Sequence, residues 1–379
     1  MTGNGIKLGR WFGIEVTIDL SWLVIAFLVS WSFYSVYITE FPTLQTSRAI
    51  VLGGSTALLF FLSVLLHELS HSVVARSLGI PVEGITLFVF GGVTRTTQEA
   101  RSPGQELAVA IVGPLTSVAL AGIFWALVEL TGDLFAPSVA FGLGYLGWIN
   151  LAVGVFNMLP GFPLDGGRVL RSILWKATGS AGRATTAAAG AGRVLGAMLI
   201  AVGILVVFGG NLGGLWYAAI GWFLMQAATG AGQEVVLQRM LRGVTAGDLM
   251  SPNPVTLPAT ATLRDAVDDH FLRYDHSAFP VEDETGAIVG ILTLRAVRQV
   301  PRDQWELRQA WAAMTPIEDA CTVGGDLPMD EVLQRLREHD HERVLVVESG
   351  RVVGIITARD ITRWVRRSDE LGLEVPTDA

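Results

Sequence analysis

His67, Glu68 and His71 are the only ionisable residues between Ile50 and Val74, and they lie in the apolar run FLSVLLHELSHS, Phe61 to Ser72. A helix turns every 3.6 residues, so side chains four apart stack on one face. Two imidazoles stacked in this way can hold one metal ion. A carboxylate next to the first can take a proton from a water on that ion, which is the mechanical content of H-E-x-x-H. A solvated face of a soluble helix could show the same spacing. The surroundings argue against that, because each ionisable group at membrane depth costs about 2.5–3.5 kcal/mol on insertion scales and is seldom kept without a function.

A further ligand must come from elsewhere, and Asp165 is the candidate. In NMLPGFPLDGGR, Asn157 to Arg168, the residues Pro160, Gly161 and Pro163 must break a helix, so the backbone can turn a carboxylate inward. Taken alone, the segment also reads as a helix end with a solvated aspartate.

The elements that position these groups are apolar spans. The 379 residues are 51% hydrophobic with a mean hydropathy of +0.48, and the apolar residues fall in long runs. Leu20–Ile38, Ile50–Leu78, Glu106–Leu130, Phe135–Leu159, Val194–Phe208 and Leu215–Ala228 give roughly six spans. Met1 to Asp19 is mixed and shows no secretory cleavage pattern. Arg168, Arg171, Lys176 and Arg183 read as a polar loop. Between glycines, GITLFVFGGVTRT, Gly84 to Thr96, crowds β-branched and aromatic residues and reads as strand. It is either an ordinary cytosolic loop or a hairpin or re-entrant piece covered by protein, whose edge could hold an extended peptide by β-addition.

Charge sets the expected orientation. Lys7 and Arg10, then Arg76, Arg95 and Arg101, then Arg168 to Arg183, then Arg239 and Arg242 all fall on one side if the spans alternate. Both termini are therefore expected in the cytoplasm of a multi-pass cell-membrane protein, with HELSH and Asp165 both towards the cytoplasmic side. Only Lys7 and Lys176 are lysines, which points to a GC-rich bacterial genome and hence a bacterial plasma membrane. The net charge of −8, with no basic stripe in the C-terminal region, argues against a nucleic-acid partner. Cys321 is the single cysteine, so neither an intrachain disulfide nor a cysteine-based zinc cluster can form.

From Gly243 the composition turns polar and a repeat emerges. Met250–Pro252 (MSP) recurs as Met314–Pro316 (MTP), and Val289–Thr293 (VGILT) as Val353–Thr357 (VGIIT), each 64 residues on (314 − 250; 357 − 293). Two copies of one strand–helix–strand unit that pack together are expected.

HELSH on an apolar helix, the later FGG strand and NMLPGFPLDGGR together resemble the site-2 proteases, intramembrane zinc metalloproteases. The resemblance covers roughly Gly5 to Gln233. It implies zinc held by His67, His71 and Asp165, Glu68 as the base, and Asn157 lining the site and steadying the oxyanion. It also implies cleavage within the membrane of membrane-anchored proteins, whose release carries a signal inward. The 64-residue repeat resembles tandem cystathionine-β-synthase (CBS) domains, regulatory modules associated with adenine nucleotides and with homodimers. In the second repeat Thr357 and Asp360 occupy the positions that hold phosphate and ribose hydroxyls. They read equally as a turn and a helix cap. The first repeat has Thr293 but Ala296 in place of the aspartate, which puts a second nucleotide site in doubt.

The expected fold is an α-helical polytopic membrane protein with a small membrane-associated β segment, joined to a soluble α/β tandem CBS module. The expected domains are 1–232 for the protease core, 243–300 for the first CBS repeat and 308–369 for the second. The rival function is a CBS-gated metal or ion transporter, since transporters also place histidines and carboxylates at membrane depth. The position of Glu68 and the helix break just before a single carboxylate favour the protease, and no inverted repeat of the spans is evident. A catalytically silent scaffold for CBS assembly would not need both the ligands and the base.

Overall fold

The computed structural model describes residues 5–89, 91–96, 100–241, 243–274, 276–338, 343–348 and 350–370. Phe90 of the expected strand segment and Arg242 of the expected basic set lie outside the described residues. The chain divides into two compact units, Met1–Val235 and Val236–Ala379.

The first unit opens with strands β1 (Ile6–Trp11) and β2 (Ile14–Ile18), paired antiparallel around Phe12 and Gly13. Both turn residues have positive φ, 52° and 78°, as a two-residue hairpin loop with right-handed strand twist requires. Helix α1 (Leu20–Glu40) follows, with the Asp19 carboxylate accepting from the Ser21 N–H at 2.8 Å as its N-cap. Helix α2 (Thr46–Ser77) has 32 residues, about 48 Å at 1.5 Å per residue, longer than a bilayer core of about 30 Å. Strands β3 (Val82–Phe88) and β4 (Gly91–Thr96) come next, then helices α3 (Pro103–Thr131), α4 (Pro137–Asn157), α5 (Asp165–Thr178), α6 (Ala181–Phe208) and α7 (Gly214–Met240). Among the described residues, α1, α2, α3, α4 and α6 are long and apolar enough to cross a membrane. The sixth apolar stretch of the sequence, Leu215–Ala228, lies within α7.

Two features differ from the sequence reading. The β segment is a four-stranded sheet in the order β1-β2-β3-β4, with β2 and β3 parallel, because the mixed N-terminal stretch supplies two strands. Those strands are only 6 and 5 residues long and interrupted by Gly9 and Gly13, so their alternation is too short to stand out. The Arg168–Arg183 region is not a loop; most of it is α5, whose Val169, Leu170, Ile173 and Leu174 recur at helical spacing between the basic residues.

The sheet packs on α2 through one apolar cluster. Ile14, Val16 and Ile18 of β2 and Ile85 and Leu87 of β3 meet Leu65 and Leu69 of α2. Because Leu65 and Leu69 are each two residues before a histidine, about 200° around the helix, α2 gives its leucines to the sheet and its histidines to the other side.

The second unit holds β5 (Ser251–Pro252), β6 (Leu257–Pro258), β7 (Ala278–Glu282), β8 (Ile288–Thr293), β9 (Thr315–Pro316), β10 (Thr322–Val323), β11 (Arg343–Glu348) and β12 (Arg351–Thr357). They form two sheets, β6-β7-β8-β9 and β10-β11-β12-β5. The repeated MSP and MTP segments are thus exchanged: β5 of the first repeat pairs with β12, and β9 of the second pairs with β8. Each sheet covers its own core, one around Phe279, Val281 and Leu292, the other around Val344, Val346 and Ile356. Ala278, Ile291, Leu345 and Ile355 pack together in a further cluster between the sheets. Burying each such aliphatic or aromatic side chain contributes about 1.5–3 kcal/mol.

Candidate metal centre

The face of α2 opposite its leucines carries His67 and His71, 4% and 5% exposed. Their Nε2 atoms are 3.3 Å apart, and Oδ2 of Asp165 lies 3.2 Å from the first and 3.3 Å from the second. Asp165 arrives from far along the chain as the first residue of α5, after the non-helical stretch 158–164. Its carboxylate is turned inward to the two imidazoles, with the side chain 13% exposed.

The donor set fits a zinc ion on two grounds. Ligand bonds of about 2.0–2.1 Å around a tetrahedral centre put neighbouring donor atoms about 3.3–3.4 Å apart, the edge of that tetrahedron. The three observed separations, 3.2–3.3 Å, lie at or just below that edge. The second ground is the tautomer: Nδ1 of His71 lies 2.6 Å from the Val109 carbonyl of α3, which can only accept, so Nδ1 carries a proton and in the neutral ring Nε2 presents its lone pair. Nδ1 of His67 lies 2.9 Å from the Ser117 hydroxyl, also on α3, which can accept in the same way. Lone pairs of two imidazoles and a carboxylate then converge on one point, an arrangement that a cation relieves.

Helix α3 approaches this point unusually closely. A Cβ added at Gly113 would fall 2.1 Å from Nε2 of His71 and 2.7 Å from Nε2 of His67, so only glycine leaves the space between α3 and the donors open. The next residue, Pro114, is internal to the helix.

Glu68 points from the neighbouring position of α2 towards the sheet. Thr94 of β4 donates a hydrogen bond to its carboxylate, and a Cβ at Gly92 of the same strand would lie 2.4 Å from Glu68 Cγ. Ser72 also meets Thr94, hydroxyl to hydroxyl at 3.2 Å. The expected strand segment therefore lies directly over the proposed base, as an outer strand of its sheet.

Asn157 is the last residue of α4, half-buried. Among the described residues no hydrogen bond links its amide to His67, His71, Glu68 or Asp165. Asn150, one face and two turns earlier, is 3% exposed and its Nδ2 donates to the Leu146 carbonyl at 2.9 Å. Sequence reasoning gives no role to Ser117, Val109 or Gly113, and it includes Gly92 and Thr94 only as members of the strand segment. Gly113–Pro114 inside an apolar span was the one available signal, since helix interiors otherwise avoid both residues.

In the second unit Asp360 is 6% exposed. It accepts from the Thr357 N–H at 2.9 Å, the Thr357 hydroxyl at 2.6 Å and the Ser251 hydroxyl of β5 at 2.8 Å, and Arg363 Nη1 lies 3.3 Å away. The Asp360 N–H returns a 3.4 Å bond to the Thr357 hydroxyl, so the two residues form a reciprocal cap on the helix Ala358–Glu370. In the first repeat Thr293 caps Leu294–Gln299 alone, its hydroxyl accepting from the Ala296 N–H at 3.1 Å.

The chain is similar to known proteins. The pattern of Peptidase family M50 matches residues 55–140 and 131–202, and that of the CBS domain matches 246–303 and 312–367. Rip3 of Mycobacterium tuberculosis, by name a zinc metalloprotease, is 37% identical over 369 residues, covering 96% of this chain and 93% of its own. A protein of Synechocystis with the same kind of name is 35% identical over 368 residues, 96% of each chain. The solved site-2 protease from Methanocaldococcus jannaschii aligns with 60% of this chain and 95% of its own at 26% identity and a TM-score of 0.43.

Proposed function

The chain belongs to peptidase family M50, the site-2 protease family of zinc metalloproteases, and carries a pair of CBS domains; from that premise we propose that it cuts the transmembrane segments of membrane-anchored proteins. The observation that carries this reading is the triangle of donor atoms, with sides of 3.2–3.3 Å, next to Glu68.

His67, His71 and Asp165 would hold one zinc ion. Zinc bound there supplies a Lewis acid for the scissile carbonyl and lowers the pKa of an attacking water. Glu68 takes the proton of that water and hands it to the leaving amine, with Thr94 fixing the carboxylate. The Asn157 amide donates to the oxyanion as it forms. Val109 and Ser117 hold the imidazoles in the tautomer and orientation that face the carboxylate. A transmembrane helix hides its carbonyls in its own hydrogen bonds, so the substrate must unwind locally. Edge strand β4 receives the unwound stretch by main-chain pairing.

In the bilayer, both termini and the CBS module face the cytoplasm of the cell membrane, a reading supported by the lysine and arginine asymmetry. Thr357 and Asp360 with Ser251 contact the ribose and phosphate of an adenine nucleotide, whose binding changes proteolytic activity. Two chains pair through their CBS modules.

The test is cleavage of a panel of single-span membrane proteins by purified full-length protein in detergent, comparing wild type with Glu68→Gln and Asp165→Ala, with bound zinc quantified alongside. Cleavage lost in both, zinc kept in the first and weakened in the second, is the expected result. Zinc-dependent ion flux in vesicles that requires His67, with no peptide cut by any form, would overturn the reading in favour of a transporter.

A further inference from the structure

Glu106 is 1% exposed, the most deeply buried carboxylate among the described residues, and the chemistry above does not use it. It sits in the first turn of α3, where Ser102 caps the helix and the dipole favours a negative charge. Its partners come from α5. Arg168 Nε lies 3.0 Å from Glu106 Oε1 and Arg171 Nη1 lies 3.6 Å from the same oxygen. One residue further along α5, the Ser172 hydroxyl donates to the Pro103 carbonyl of α3 at 2.6 Å.

The spacing of these contacts ties them to the metal centre. Asp165, Arg168 and Ser172 are three and four residues apart, one stripe of α5, with Arg171 beside it. The same stripe thus carries the metal ligand at its start and the clamp to α3 in the turns behind it. The start of α5 has no side-chain cap of its own: Leu164 occupies the N-cap position. The first turn of α5 is held by the ligand and by close packing of the buried Gly166 and Gly167 on the backbone of Met158, Leu159 and Gly161, and the turn behind it is gripped by the contacts to α3.

We propose that Glu106 is a positioning residue that, through Arg168 and Arg171, holds α5 in the rotation at which Asp165 reaches His67 and His71, and thereby sets the affinity of the centre for zinc. This rests on the ligand set given under the proposed function. Helix α3 then serves the centre from one side at three levels: Glu106 orients the carboxylate, Val109 orients His71 and Ser117 orients His67. A side chain that acts only on overall stability would not couple to Asp165.

The experiment measures zinc affinity by chelator competition on full-length protein in detergent, with thermal unfolding recorded for each variant. The variants are Glu106→Gln, Asp165→Ala and the double variant. Glu106→Gln keeps shape and loses charge; its zinc affinity is expected to fall about tenfold, the lower end of the range for residues behind a ligand. In the Asp165→Ala background the same substitution should cost nothing further, because its route to the zinc has been removed. Equal losses in both backgrounds, or a lowered unfolding temperature with wild-type zinc affinity in the folded protein, would overturn the positioning role. Unchanged affinity in Asp165→Ala would instead overturn the ligand set itself, and the positioning role with it. Arg168→Gln, which removes the other half of the clamp without touching α3, should reproduce the Glu106→Gln affinity; wild-type affinity there would also overturn the proposal.

Discussion

Gly113 of α3 and His71 of α2 approach so closely that a methyl group on the glycine would stand 2.1 Å from the ring nitrogen facing Asp165. Backbone and imidazole cannot both yield, since the other ring nitrogen is held by the Val109 carbonyl one turn earlier on the same helix. Gly113→Ala should therefore lower zinc affinity about tenfold or more through overpacking. Chelator competition on the purified variant checks this, and wild-type affinity would show that α3 can withdraw.

The second contact of this kind is on the base. A Cβ at Gly92 would lie 2.4 Å from Glu68 Cγ, while no zinc donor is as near to it. Gly92→Ala should lower cleavage by tenfold or more, about 1.4 kcal/mol or above in the barrier, and leave zinc content unchanged. Loss of zinc in this variant would mean that the sheet supports the ligands rather than the base.

Glu68→Gln removes proton transfer without removing a ligand. General acid–base catalysis contributes about 10²–10⁴-fold, so turnover should fall by at least that much at full zinc occupancy. Turnover within threefold of wild type would place the base elsewhere.

Ser117→Ala deletes the hydroxyl 2.9 Å from His67 Nδ1 and leaves that nitrogen buried without its partner. Zinc affinity should fall about 10-fold, as is usual when the group behind a metal-bound histidine is lost. Ser117→Thr keeps the hydroxyl and should recover most of the affinity; the pair of titrations decides the matter.

Outside the membrane, the Thr245 backbone N–H and hydroxyl hold the Asp248 carboxyl below its ordinary value in the capping box of Ala246–Leu249. A lowered folded-state pKa stabilises the fold above the unfolded value of about 3.9 and loses that contribution as pH falls through the folded value. The protection factors of the amides over Ala246–Leu249, taken relative to intrinsic exchange at each pH, should therefore fall below about pH 4 in wild type. In Asp248→Asn that acid dependence should be flattened. The carboxyl is almost fully exposed, so the effect is limited to about 1 kcal/mol or less.

The sequence by itself determined the candidate reacting groups. His67 and His71 four apart on an apolar helix, Glu68 beside them, and Asp165 after a run of helix breakers are local patterns, and each is fixed by helix geometry or by proline and glycine chemistry. The apolar spans and the 64-residue repeat are legible for the same reason, since periodicity and composition are properties of a short window. What only the tertiary structure decided is which distant side chains complete those groups. Ser117 and Val109 behind the histidines, Gly92 and Thr94 over Glu68, and Glu106 behind α5 owe their roles to helices and strands brought side by side. Pairing of β2 with β3 across two intervening helices, and the exchange of β5 and β9 between the CBS repeats, are likewise contacts between distant segments. A serine, a glycine or a glutamate at the end of an apolar run carries no periodic signature; its function appears only when packing sets what it touches.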